Sequence, residues 1–140
     1  MQKGFYFSWL FSAILMYAAF YCWHGIVLND FYRVSFSKSL LMVFAAFSYL
    51  AISLLVYYVY HRNFLVNYFP GAFLRAMITG LLVGGFLYMV TTVLGISFNN
   101  QMNTLTLLID LLWQVFEQTL GSVLIALSEK FLFHFDSENK

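Results

Sequence analysis

The sequence predicts an all-α membrane protein, a single bundle of four transmembrane helices with both termini in the cytoplasm. Hydrophobic residues make up 62% of the 140 residues, and charged residues only 9%, where soluble domains have about 25%. With a mean hydropathy of +0.79, the chain has more apolar surface than a soluble domain of this size can bury. Four apolar runs are each long enough to cross a bilayer, and strict alternation typical of a barrel is absent.

The whole chain, residues 1–140, is interpreted as one transmembrane domain with four spans. These are Phe5–Leu28, Ser39–Tyr60, Ala72–Ile96 and Leu105–Leu132. Polar or helix-breaking residues separate them, at Asn29-Asp30, His61–Asn63, Pro70-Gly71 and Ser97–Thr104. The first run is interpreted as a retained helix and not a signal peptide, because it is long enough to span and no cleavage site with a polar chain after it is visible.

The distribution of positive charge predicts the orientation. Four spans place both termini and the second loop on the same side of the membrane. That side contains Lys3, Arg62, Arg75, Lys130 and Lys140, and the other side contains Arg33 and Lys38. Because basic residues are enriched in cytoplasmic loops, both termini are predicted to be cytoplasmic.

The last span carries a polar stripe in the stretch DLLWQVFEQTLGS, which begins at Asp110. At 100° per residue, Asp110, Gln114, Glu117 and Gln118 fall within a sector about 100° wide, which we call the polar seam. An ionised carboxylate at the centre of a membrane helix costs about 2.5–3.5 kcal/mol. The polar seam is therefore predicted to face the bundle interior, a partner chain or a wet cavity.

Other polar residues are predicted at the same height as Asp110, near the outer surface. His24, Thr91 and Thr92 share that layer, and Asp30 and Arg33 lie just above it. One hypothesis is an outer pocket that continues inward to Glu117, near the midplane. The alternative is that the polar seam only joins helices by hydrogen bonds, within the chain or between chains.

The third span contains TGLLVGG, with Gly80 and Gly84 at GxxxG spacing and Gly85 beside them. Small residues at this spacing let another helix backbone approach closely, so a helix-packing groove is predicted. The sequence leaves open whether the packed helix is internal or foreign.

Several classes of chemistry are disfavoured. A single cysteine, Cys22, excludes an intramolecular disulfide. A net charge of +1 gives no excess of basic residues of the kind that binds nucleic acid. His24 is placed on one side and His61 and His134 on the other, which disfavours a haem held by two histidines. No phosphate loop, nucleophile elbow or metal-ligand spacing is present. We therefore expect no enzymatic activity, no metal and no cofactor.

Two short patches resemble known proteins. These are Trp23, Gly25 and Asp30-Phe31-Tyr32 after the first span, and Asp110 with Trp113 in the last. They are similar to features of small, uncharacterised families of four-helix bacterial integral membrane proteins. The resemblance implies only a four-helix architecture and no chemistry. The predicted location of this multi-pass protein is a bacterial cytoplasmic (inner) membrane.

Three functional hypotheses follow. The first is a small integral membrane subunit, or an assembly or accessory factor, that packs against a larger membrane protein complex or copies of itself. It predicts that another chain covers the polar seam or the glycine groove. The second is a self-associating transporter or proton-conducting protein with Asp110 and Glu117 along its path. The third is a membrane protein that binds a lipid or small ligand in the outer pocket.

Overall fold

The computed structural model describes residues 3–32, 37–98 and 104–138, and these segments are almost entirely helical. The helices are α1 (Lys3–Phe20), α2 (Lys38–Tyr60), α3 (Asn63–Tyr68), α4 (Ala72–Phe98) and α5 (Thr104–Glu138). A π-helix, Tyr21–Val27, continues α1, and a short 3-10 helix, Asp30–Tyr32, follows it. Four of the helical segments are long and apolar enough to cross a membrane: Gly4–Val27, Lys38–Tyr60, Ala72–Leu94 and Thr104–Phe131. The predicted all-helical class with four candidate spans is confirmed.

The helix α5 is the central element of the bundle. It packs most extensively against α4 and α1 and also contacts α2, while α2 packs against α1 and α4. The apolar core between these helices includes Met16, Val56, Val83 and Ile125, which are all buried. The outward faces carry many exposed large apolar side chains. This distribution suits a bundle surrounded by lipid, since lipid tails solvate apolar side chains as well as a protein core does.

Two glycines set the close approach of α4 and α5. A Cβ atom at Gly84 would lie 2.7 Å from the Cα of Val115, and a Cβ at Gly80 would overlap the backbone of Thr119. Gly85 has no such neighbour within 4 Å and does not take part in this contact. The partner of the Gly80–Gly84 groove is therefore this chain's own last helix.

A third glycine has the same role between α1 and α5. A Cβ at Gly121 would lie 2.9 Å from the hydroxyl oxygen of Ser12, which itself donates a hydrogen bond of 3.0 Å to the Gly121 carbonyl. Because the missing side chain lets the two backbones approach, a polar contact forms deep in the bundle.

The end of the first span departs from the regular α-helix that the sequence predicted up to Leu28. The chain widens into the π-helix at Tyr21 and then turns at Asn29, which has a positive φ of 55°. The buried Phe31 folds back against Gly25, where a Cβ would lie 2.5 Å from its ring. Helices of the π type are rare and are often found at functional sites.

The second loop contains a helix that the sequence analysis did not include. The segment Asn63–Tyr68 forms α3 and ends at Phe69, before Pro70. Proline disfavours helical backbone in the preceding residue, which accounts for the position of this end. Phe64 and Tyr68 are exposed on α3, while Leu65 is buried.

Candidate functional site: an outer cavity above a buried polar column

A cavity of about 290 Å³ opens where the π-helix meets α4 and α5. We call it the outer cavity. Its lining residues are His24, Tyr88, Thr91, Thr92, Leu107, Asp110, Trp113 and Gln114. The structure thus brings His24, Thr91 and Thr92 together with two residues of the polar seam. The other two residues assigned to this pocket are not placed there, because Arg33 and the side chain of Asp30 lie outside the described residues.

Aromatic contacts hold the wall of the outer cavity. The indole rings of Trp23 and Trp113 stack with centroids 4.3 Å apart and planes within 10° of parallel. This stack fixes the π-helix against α5 and leaves His24 in the wall of the cavity. On the opposite side, the hydroxyl of Tyr88 donates a hydrogen bond to the carbonyl of Leu107, which joins α4 to α5. Sequence analysis identified Trp113 only through a family resemblance and did not single out Tyr88.

Below the outer cavity, the polar seam becomes fully buried. Glu117 is 1% exposed and Gln118 is 0% exposed. The Tyr49 hydroxyl, on α2, is placed to donate a hydrogen bond to the Glu117 carboxyl group. The Trp113 indole N–H also approaches that carboxyl group, without reaching a hydrogen-bonding geometry. Trp113 therefore lies between the outer cavity and the buried acid.

The buried polar residues continue along the α1–α5 contact. Ser8, Ser12 and Ser122 are all 0% exposed and, together with Glu117 and Gln118, form what we call the polar column. Several of its atoms have no hydrogen-bond partner among the described residues. They are Ser8 Oγ, Glu117 Oε1, Gln118 Oε1 and Nε2, and Ser122 Oγ.

Unsatisfied groups of this kind are expensive in a protein interior. Most buried polar atoms in folded proteins have a partner, and leaving one without a partner costs about 1–3 kcal/mol. A column used only to join helices would be expected to satisfy its own donors and acceptors. The described residues leave these atoms unsatisfied, and the atoms lie together in the polar column beneath the outer cavity.

A second polar cluster closes the opposite end of the bundle. His61, just after α2, forms an ion pair of 2.7 Å with Glu129 of α5 through its Nε2 atom. Its Nδ1 atom lies 2.8 Å from the carbonyl oxygen of Tyr57, which can only accept a hydrogen bond. Beside this pair, Arg75 donates a hydrogen bond of 2.9 Å to the hydroxyl of Tyr60.

The surroundings of His61 favour its protonated form. Burial alone would lower the pKa of His61, but the hydrogen bonds to Glu129 and Tyr57 and the charge of Glu129 outweigh it, so this pKa is raised. Both ring nitrogens then donate, one to a carbonyl and one to a carboxylate. Sequence analysis interpreted His61 only as a polar end to the second span and did not single out Glu129.

Comparisons with known protein families, with curated proteins and with solved structures find no match for this chain. Within the described segments, no group of three or more His, Cys, Asp and Glu side chains is arranged to hold a metal ion. The inference of function therefore depends on the geometry of the outer cavity, the polar column and the His61–Glu129 pair.

Proposed function

We propose that this protein is a small multi-pass membrane protein that conducts protons along the inner face of α5. The outer cavity is the entrance, Glu117 is the central proton-binding group, and the His61–Glu129 pair is the other end of the path. The observation that carries the proposal is Glu117 itself, a carboxyl group that is 1% exposed and has an unsatisfied oxygen beneath a polar cavity. Ionisable residues inside membrane helices are costly and commonly mark ion pathways and proton relays.

The spacing of the acids determines what else the path requires. Asp110 and Glu117 are separated by about 10.5 Å along the helix axis, and Glu117 and Glu129 by about 18 Å, at 1.5 Å per residue. These distances exceed a hydrogen bond, so the acids cannot exchange protons directly. Gln118 and Ser122 lie in the longer interval, and both have side-chain atoms able to donate and accept. Hydroxyl groups and water between the acids would complete the path.

The accessory-subunit hypothesis predicted another chain on the polar seam or in the glycine groove. The part of the seam at Asp110 and Gln114 lines the outer cavity and stays open. The Gly80–Gly84 groove is filled by α5, and the buried part of the polar seam is covered by α1 and α2. A partner chain could not reach the glycine groove or the buried part of the seam without separating the helices of this chain. The geometry therefore favours the proton path over the docking role.

The orientation and location of the protein belong to the same proposal. The larger number of basic residues on the side of both termini supports a cytoplasmic location for the His61–Glu129 pair. The outer cavity then faces away from the cytoplasm. The proposed location is the bacterial cytoplasmic membrane.

The test is proton flux into liposomes that contain the purified full-length protein and an internal pH-sensitive dye. A potassium diffusion potential set by valinomycin provides the driving force. We expect flux from the wild-type protein and about a tenfold or larger loss in Glu117→Gln, which has nearly the same shape but no titratable group. Glu117→Asp is the matched control, because it keeps the carboxyl group and should retain most of the flux.

Two results would overturn the proposal. One is the absence of flux above that of protein-free liposomes for the wild type. The other is equal flux for wild type and Glu117→Gln, with both proteins eluting as a single species of the same size.

A further inference from the structure

A second cavity, of about 410 Å³, lies at the opposite end of the bundle from the outer cavity, on its outside surface. It is bounded by the end of α2, by α3 and by α4. The lining residues are Val59, Arg62, Asn63, Phe64, Leu65 and Leu82. We call it the lateral groove. None of its lining residues belongs to the polar column or to the His61–Glu129 pair.

The lateral groove is polar at one end and apolar along its length. Arg62 and Asn63 form the polar end, just beyond the candidate span of α2. Leu82 lies ten residues after the start of α4, about 15 Å further into the span at 1.5 Å per residue. Val59 and Phe64 supply apolar surface between these ends. The groove thus follows the polarity profile of a membrane, from the headgroup layer into the hydrocarbon.

The guanidinium group at the polar end is available to an anion. Arg62 is exposed, and its guanidinium carbon lies 4.0 Å from the centre of the Tyr58 ring. This contact holds the guanidinium group beside the Tyr58 ring, and its five N–H groups can donate to an anion. Within the described segments, no carboxylate pairs with Arg62. An arginine fork matches the geometry of a phosphate group.

We propose that the lateral groove binds one anionic phospholipid. The phosphate group lies on Arg62 and the side-chain amide of Asn63, and an acyl chain lies along Val59, Phe64 and Leu82. The length of the apolar surface favours a lipid over a free phosphate ion, since a free ion would use only the polar end. The positive charge favours an anionic headgroup over a zwitterionic one, because basic residues near the membrane surface attract anionic lipids. The volume is within the usual range for small-molecule pockets.

This proposal is independent of the proton path and is tested without measuring flux. The full-length protein in detergent is mixed with equal amounts of phosphatidylglycerol and phosphatidylcholine, and native mass spectrometry counts the lipids retained. We expect one phosphatidylglycerol to be retained in preference to phosphatidylcholine. Arg62→Gln should reduce that preference roughly fivefold, the effect expected of one basic residue near an anionic headgroup.

Two further variants define which part of the lipid is recognised. Leu82→Trp fills the apolar part of the groove and should reduce retention of both lipids. Lys130→Gln is the matched control, because Lys130 is an exposed cation near the same end of the bundle that does not line the groove. It should behave as the wild type does. Circular dichroism of each variant checks that helix content is unchanged.

Three outcomes would overturn the proposal. Arg62→Gln could retain phosphatidylglycerol as the wild type does, so that Arg62 has no part in binding. Lys130→Gln could lose as much as Arg62→Gln, which would indicate unspecific attraction between charges. Excess inorganic phosphate could displace the lipid, which would make the site a phosphate site and not a lipid site.

Discussion

Glu117 and Glu129 lie twelve residues apart on the same helix, yet their surroundings are opposite. Glu117 is buried at 1% exposure, with a tyrosine hydroxyl as its polar neighbour and one oxygen unsatisfied. The Glu129 side chain is 23% exposed and holds His61 at 2.7 Å. Glu129 therefore has a partner that stabilises its charged form, whereas Glu117 is buried with its hydrogen bonding incomplete.

This difference separates two uses of a carboxyl group in a membrane helix. An acid at the end of a proton path can remain charged and also stabilise the fold, because a cationic partner and the polar headgroups make the cost of its charge small. An acid that binds and releases a proton is expected to lie in the interior, where the neutral form is favoured and the surroundings can accept either form. The following predictions test whether the two acids differ in this way.

The largest effect on stability is expected from adding one methyl group at the contact between α4 and α5. This contact packs the part of α5 that contains Glu117. Gly84→Ala places a Cβ 2.7 Å from the Val115 Cα, so the helices must separate. We expect a loss of roughly 1–3 kcal/mol in the free energy of unfolding, as for other overpacked cores. Thermal unfolding in detergent measures it. Gly85→Ala is the adjacent control and should cost nothing, because no atom lies within 4 Å of its Cβ position; equal losses in both variants would contradict the assignment of the groove.

Substitution of each acid by methionine is the direct test of the comparison. Glu117→Met removes an unsatisfied buried oxygen and keeps a similar volume, but it also removes the acceptor of the Tyr49 hydroxyl. These effects oppose each other, so we expect thermal stability to change by no more than about 1 kcal/mol. Glu129→Met leaves His61 without its partner and should lower stability by roughly 1 kcal/mol. A large loss in Glu117→Met would show that this acid holds the helices together, as the structural interpretation of the polar seam requires.

Trp113, on which Trp23 stacks, lines the outer cavity and also approaches Glu117. Trp23→Leu should cost about 0.5–1.5 kcal/mol of stacking and loosen the π-helix. Reaction of the carboxyl groups with a hydrophilic carbodiimide, followed by peptide mass spectrometry, should then show faster labelling of Glu117 and unchanged labelling of Glu129. Equal acceleration at both acids would indicate general loosening of the bundle instead.

The smallest effect is expected from pH at the His61–Glu129 pair. Because the pKa of His61 is raised above its usual 6.5, its stabilising contribution is complete below pH 6.5 and is lost as the pH rises through the raised value. The difference in thermal stability between wild type and His61→Gln should be greatest near pH 6 and shrink toward pH 9. With both side chains partly exposed, we expect no more than about 1 kcal/mol. A difference that grows with pH would contradict the assigned proton positions.

Much of the outer cavity was predictable from helix depth and direction. Because adjacent spans run in opposite directions, counting residues from the span ends placed His24 at the height of Asp110 and of Thr91 and Thr92. All four line the outer cavity. Helical periodicity also placed Glu117 and Gln118 on the predicted polar seam, and both are buried.

Other parts of the site depend on contacts between distant residues. His61 and Glu129 meet because α2 and α5 reach the same end of the bundle, and no local pattern near either residue signals that contact. The π-helix at Tyr21–Val27 is also not evident locally, since the uncharged run of the first span continues through it to Leu28. The Trp23–Trp113 stack and the packing of Phe31 on Gly25 accompany it.

By itself, the sequence determined the helical class, four candidate spans and the set of polar residues that share a face of the last one. These follow from hydropathy and from the 3.6-residue period, which are properties of a single helix. Only the tertiary structure decided which helices cover that face and that α5 fills the glycine groove. It also decided that, among the described residues, Glu129 has a cationic partner while Glu117 has the Tyr49 hydroxyl beside it. The physical reason is that rotation and separation of packed helices are set by the fit of non-local side chains, and at Gly84 that fit depends on a single missing Cβ.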